Sequence, residues 1–337
     1  MSMLAGYSSR YPRQGKFAIL CEGDVAGYET DLLERWFALQ PHLFVDVWAC
    51  GTKTAIVGMA DAIGRAIPFS AIEDRDYRTL EHAEKDCQAA LQDRADRRAL
   101  VRSWKAWNRH EIENYLIEPM VVAPVLAQWF GVSEADVLAR LAEVLSQSAV
   151  DQAAQCTLSI LRSSFPDPQR AVGGLPRVGG RPQWSKQSKA IVSPDRATVE
   201  QKLDDILQDA WKRFGEKHQR IDIAGIMATF KSLADNWSKV QLEDQTWRTD
   251  WAGKEILVSL CRWLAAEFGW PIGDGKTREL IEWSELSRVA AVQKDREIAW
   301  ELQPDLTATF LTYLESTRDG EIRREWDEIT KPAVALA

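Results

Sequence analysis

Residues 16–119 alternate short apolar runs with amphipathic helical stretches, and nothing else in the chain constrains the fold as much. Lys16–Cys21, Leu43–Ala49 and Pro68–Ile72 read as strands, each a short apolar run bounded by turn residues. Between them, Tyr28–Leu39 and Thr54–Arg65 carry apolar side chains at helical spacing. A further helix over Leu80–Asp96 leads to a strand from Ala99 to Trp104. Strands separated by helices close as a parallel sheet with helices on its faces. The predicted class is an α/β parallel-sheet domain over 1–119 followed by a mainly α-helical domain over 120–337.

After Pro119 the strand signal nearly vanishes. Ser133-x-x-Asp136 has the spacing of a capping box, and apolar stripes follow at Val137, Leu141, Val144, Leu145, at Leu203, Ile206, Leu207, Trp211, Phe214 and at Ile256, Leu257, Leu260, Leu264, Phe268. Within this half, Ser163–Pro194 is rich in Pro, Gly and Ser and carries Arg170, Arg177, Arg181, Lys186 and Lys189 against Asp167 alone. It is expected to be a long basic loop. With Trp184 as a stacking platform, Arg177, Arg181 and Lys186 could track a nucleic-acid backbone; the competing reading is a solvated loop.

Composition narrows the function classes. A chain of 337 residues with 45% hydrophobic and 27% charged residues is neither one small module nor a disordered segment. Its net charge of -8 argues against coating nucleic acid by charge alone, so any such contact must be local. Apolar runs such as Met120–Ala127 fall short of the roughly 20 residues of a membrane helix, and Met1–Gly15 has no secretory pattern. A cytoplasmic protein with no membrane association is expected. The five cysteines show neither zinc-site nor disulfide-framework spacing and are expected as buried thiols. The fifteen tryptophans are dispersed and expected in the core.

The chemistry concentrates where strands end. Glu22-Gly23 follows the first strand and Asp74-x-Asp76 the third, and parallel α/β sheets bind ligands at the carboxyl ends of their strands. On an extended segment, residues i and i+2 point the same way, so Asp74 and Asp76 are expected to face one point together with Glu22. Converging carboxylates are costly unless a hard cation neutralises them, which predicts Mg²⁺ (or Mn²⁺). Trp107-Asn-Arg-His-Glu-Ile-Glu-Asn-Tyr-Leu116 adds the acids Glu111 and Glu113, with His110 as a base or a structural residue. Lys53, after the second strand, sits on the same rim as a phosphate contact or as a helix start capped by Thr52; the P-loop spacing is missing.

Strand-Glu-Gly followed by strand-Asp-x-Asp resembles the Toprim domain of topoisomerases, primases and overcoming-lysogenization-defect (OLD) nucleases, over residues 16–119. Glu111-Ile-Glu-Asn-Tyr-Leu116 is similar to the OLD-type branch, and most narrowly to the standalone Toprim effectors of two-gene PARIS anti-phage systems. The resemblance implies Glu22, Asp74 and Asp76 as catalytic metal ligands, with Glu22 also as general base. It implies Glu113, with Glu111 beside it, as acids of a second metal site. Gly253-Lys254-Glu255 resembles a later motif in which Lys254 would steady charge on the scissile phosphate. Where OLD nucleases carry a second acid, four residues after the Glu, this chain has Ala26; Asp24 or Glu29 could substitute.

The expected activity is that of a metal-dependent endonuclease using water, since no separate breakage domain with its tyrosine is apparent. The family resemblance further implies a toxic effector of anti-phage defence acting on RNA (tRNA) or DNA and an ABC-type ATPase partner; whether the chain forms a homodimer is left open by the sequence. Two rivals stay open: a catalytically inert Toprim scaffold serving as a regulatory or binding subunit, and a primase-like or repair enzyme.

Overall fold

A computed structural model describes residues 17–24, 27–163, 183–185, 190–212, 222–272, 279–281, 291–317 and 319–335. The chain divides into two compact units, one formed by residues 1–116 with 302–337 and the other by 117–301.

The first unit holds a four-stranded parallel sheet in the order β2-β1-β3-β4, with β1 at Phe17–Cys21, β2 at Val45–Ala49, β3 at Phe69–Glu73 and β4 at Val101–Ala106. The expected α/β class holds here. Helices α1 (Tyr28–Ala38), α2 (Lys53–Ile63) and α3 (Leu80–Asp96) make the crossovers. The central strands β1 and β3 are buried along their whole length, as strands covered on both faces must be. Ala18, Leu20, Phe69 and Ala71 pack with Ile56, Met59, Ala60 and Ile63 of α2 and Cys87 of α3. Phe17, Ile19 and Cys21 alternate to the opposite face, where Cys21 Sγ meets Thr30 Oγ1 of α1 at 3.7 Å.

The compact units change at 116/117, close to the expected 119/120, and differ from the expected division at the C-terminal helices. Helix α11 (Ala291–Ser316) from Leu302 onward and α12 (Glu321–Val334) belong to the first unit, not to the helical one. The cause is aromatic packing: Trp326 of α12 is fully buried, with ring centroids 5.6 Å from Trp36, 5.3 Å from Trp107 and 5.5 Å from Phe310. Trp36 Nε1 also donates to Thr330 Oγ1 at 3.0 Å, and Tyr115 Oη to a Glu325 oxygen at 2.6 Å. The short helix α4 (Glu113–Leu116) closes this core.

The second unit is mostly helical: α5 (Pro119–Phe130), α6 (Glu134–Ser163), α7 (Arg196–Ala210), α8 (Ile223–Trp237), α9 (Thr246–Asp250) and α10 (Gly253–Phe268). Helix α5 ends at Gly131, whose φ of 66° is the left-handed conformation glycine supplies. Helix α6 starts with the expected box, Asp136 N donating to Ser133 Oγ and Ser133 N to Asp136 Oδ2, both at 3.1 Å. The stripe Val137, Leu141, Val144, Leu145 is buried, as are Leu203, Leu207, Ile256, Leu257, Leu260 and Leu264.

The stretch expected as an unbroken loop contains a two-stranded antiparallel ribbon, β5 (Gln183–Ser185) with β6 (Ala190–Val192), in which Trp184 pairs with Ile191. Aromatic and β-branched residues favour that pairing. A second ribbon joins β7 (Trp270–Ile272) to β8 (Glu279–Ile281). Cys21, Cys50, Cys87 and Cys261 are buried thiols. Among the described residues no single helix is long and apolar enough to cross a membrane.

Candidate active site

Glu22-Gly23, Asp74 and the 107–113 segment all leave the carboxyl edge of the parallel sheet, directly after β1, β3 and β4. Close approach explains the glycine at position 23. Gly23 N–H donates to Glu29 Oε2 at 2.6 Å, and a Cβ there would stand 3.0 Å from Glu29 Cβ and 3.1 Å from Oε2. The other Glu29 oxygen accepts from Trp107 Nε1 at 2.7 Å. Glu29, in the first turn of α1 and only 3% exposed, is thus fixed at the site by two N–H groups. Burial, together with the charges of Glu22 and Glu113, pushes its carboxyl up to about 7 despite those hydrogen bonds. Ala26 lies outside the described residues and Asp24 is exposed, so Glu29 is the acid that stands with the cluster.

Asp74 is the most frustrated of these groups. Its Oδ1 is sealed from solvent with no hydrogen-bond partner, and its N–H donates to Glu22 Oε2 at 3.3 Å. Burial raises its carboxyl well above the usual range, and the charges of Glu29, Glu111, Glu113 and Glu22 raise it further. Glu22 is raised too, first by burial, with the Lys53 ammonium opposing and Asp76 adding to the rise. Five carboxylates (Glu22, Glu29, Asp74, Glu111, Glu113) therefore feel one another at one edge of the sheet.

Asp76 departs from the expected geometry. Strand β3 ends at Glu73, and Asp76 has a left-handed backbone (φ 53°) held by its N–H donating to the His110 carbonyl at 2.8 Å. The extended spacing that would aim Asp74 and Asp76 alike is broken there. The Asp76 side chain, 52% exposed, instead forms an ion pair with Lys53 Nζ. Lys53 opens α2 behind the expected cap, Thr52 Oγ1 accepting from Ala55 N at 3.1 Å. His110 is buried, its ring edge-on to Tyr77 at 4.3 Å and its Nδ1 3.8 Å from Glu111 Oε2. Burial lowers its imidazole to about 4, with Asp76 opposing and the Arg75 and Lys53 charges adding to the fall, so near neutral pH it is an uncharged ring.

Glu22, Asp74, Glu111 and Glu113 are thus brought together, with Lys53 and Asp76 paired beside them. Lys254 is exposed in the first turn of α10, in the second unit. Arg177, Arg181 and Lys186 lie outside the described residues, and Trp184 lies on β5. Two contributors are assigned no role by the sequence. Trp107 holds Glu29, and Arg78 clamps the Asp74 loop by donating to Glu73 Oε1 at 2.8 Å, the Asp74 carbonyl at 2.9 Å and Asp86 Oδ2 at 3.1 Å. The acids after the strands and Lys53 behind its Thr52 cap are open to sequence reasoning, whereas the bonds made by Trp107 and Arg78 are not.

Among the described residues, no group of three or more His, Cys, Asp or Glu side chains is placed so that it could hold a metal ion as it stands. The donor set nevertheless suits a hard cation: it is all carboxylate oxygen, and the sealed Asp74 Oδ1 has no hydrogen-bond partner among acids that raise its carboxyl. In comparisons with known proteins, no protein-family model, no curated protein and no solved structure matches this chain.

Proposed function

We propose that this chain is a divalent-metal-dependent nuclease that hydrolyses phosphodiester bonds from a Toprim-like α/β unit. One observation carries the reading: Asp74, with an oxygen sealed from water and unpartnered, sits amid the charges of Glu22, Glu29, Glu111 and Glu113 at the carboxyl end of a parallel sheet. Such a cluster is stable as anions only with a cation beside it, and Mg²⁺ or Mn²⁺ takes a few carboxylates plus waters. Glu22 and Asp74 would hold the ion, with Glu113 and Glu111 as the further acids. When bound, such an ion makes hydroxide available near neutral pH and stabilises charge on a leaving oxygen.

The chain's own residues supply the positioning. Gly23 N–H and Trp107 Nε1 fix Glu29, and Arg78 holds the carbonyl of Asp74, so two of the acids are tied down beside the strand ends. Water is favoured over tyrosine as nucleophile. Tyr28 is buried, Tyr115 donates to Glu325, and the Tyr77 ring packs on His110. A cytoplasmic defence effector with an ABC-type ATPase partner and an RNA target such as tRNA extends this reading by the resemblance of the motifs. Lys254 as a phosphate contact and the basic 163–194 segment as a nucleic-acid contact belong to the same extension.

A second reading, an inert Toprim-like scaffold, draws on the pairing of Asp76 with Lys53, which takes one expected ligand away from the others. Cleavage of plasmid, single-stranded DNA and bulk tRNA in Mg²⁺ or Mn²⁺, beside a chelator control and Glu22→Ala, decides between them. The nuclease reading expects metal-dependent cleavage that falls at least a hundredfold, on the order of a lost catalytic group, in Glu22→Ala. Equal cleavage by both proteins, or no Mn²⁺ binding by either, would sink it.

A further inference from the structure

Lys53 has a second place in this site. Its ammonium is the strongest charge acting on Glu22, and it is ion-paired to Asp76, whose backbone is left-handed. The pair spans two strand ends, because Lys53 opens α2 after β2 while Asp76 follows β3. Thr52 caps that helix and fixes its first turn, so the base of the Lys53 side chain is anchored while its four-carbon stem lets the ammonium swing. The Asp76 backbone is anchored as well, by its bond to the His110 carbonyl. The two side chains are 30% and 52% exposed, so the contact is a partly solvated one that exchanges readily for another.

We propose that Lys53 is the resident counter-ion of the acid cluster, an ammonium that holds Asp76 and part of the Glu22 charge until a divalent cation displaces it. The inference rests on the proposed metal site at Glu22 and Asp74. Anchored beside the cluster by Asp76, the ammonium brings a positive charge to bear on Glu22, one of the carboxylates that would hold the ion, so it sets how tightly that ion is held. Once displaced, Lys53 stays on the rim as a mobile positive charge beside the site. Lys53 therefore lowers metal affinity in the free protein, the opposite of what a residue that merely supports the fold would do.

Mn²⁺ titration of the full chain, reading free Mn²⁺ by electron paramagnetic resonance, tests this in wild type, Lys53→Met, Lys53→Gln, Lys53→Arg and Glu22→Ala. Thermal unfolding of each protein checks that the fold is kept. Lys53→Met and Lys53→Gln should bind Mn²⁺ roughly three- to fivefold more tightly than wild type, the size of a partly exposed ion pair, and Lys53→Arg within about twofold of it. Unchanged or weaker binding in both neutral variants, with binding still lost in Glu22→Ala, overturns the counter-ion and leaves the metal site standing. Absence of Mn²⁺ binding from wild type and the neutral variants alike overturns both.

Discussion

Glu29 shows how a single side chain can be well hydrogen-bonded and still uncomfortable. Two N–H donors reach its oxygens, yet burial and the neighbouring acids lift its carboxyl from 4.5 to about 7. A carboxyl raised on folding favours the folded state when protonated, so its contribution is present below about pH 4.5 and is lost as pH rises through about 7. His110 runs the other way, neutral in the fold with its imidazole lowered from 6.5 to about 4, and costs stability as pH falls across that range. The two partly cancel in wild type, so the comparison that isolates Glu29 is with Glu29→Gln. In chelator, the stability of that variant relative to wild type should rise by on the order of 3 kcal/mol between about pH 4.5 and 7.5, measured by urea unfolding. A difference that stays flat with pH would show that Glu29 is already ionised at no cost. Glu22 and Asp74 are legible in the sequence because an acid directly after a buried strand must emerge at the sheet's carboxyl edge. The turning of Asp76 toward Lys53 is not, since its backbone is set by a carbonyl that lies 34 residues further on, at His110.

At the scale of elements, periodicity locates α1, α2, α3 and all four sheet strands to within about two residues, because a stripe or a short apolar run reports burial directly. It does not report what each stripe is buried against. Helix α12 has its apolar side at Trp326, Ile329 and Ala333, a spacing equally suited to the helical unit that precedes it in sequence. The partner is chosen by shape. Trp326 enters a ring of Trp36, Trp107, Tyr115 and Phe310 that belongs to the first unit. Trp326→Ala should destabilise that unit by about 3–5 kcal/mol, and Trp326→Phe, which keeps an aromatic ring there, by less. Chemical unfolding followed by circular dichroism reads both. Loss of less than about 1 kcal/mol in the alanine variant would mean that α12 is a dispensable cover. The same ring explains why Trp107, given no role of its own by the sequence, matters to the site: its face belongs to the aromatic core while its N–H belongs to Glu29.

For the molecule as a whole, the discontinuous first unit decides what can be cut from the chain. Residues 1–119 alone would leave Trp36, Trp107 and Tyr115 without Phe310 and Trp326, so this segment should not unfold cooperatively when expressed by itself. Residues 1–116 joined to 302–335 through a flexible linker should regain a cooperative transition, and failure of that chain would show that the helical unit is needed for folding. The sheet and the helical region are both legible in the sequence, but as consecutive domains, since hydrophobic pattern carries no record of which distant segments meet. The layout also has a meaning for synthesis. On a ribosome, β1 to β4 are made first, and the whole of 117–301 must follow before the helices that seal the aromatic ring exist. Through Trp107, that ring reaches Glu29, so the acid cluster takes its final form late. A chain interrupted anywhere before residue 302 carries the full set of strand-end acids without Phe310 and Trp326, the rings that complete the aromatic core beside them.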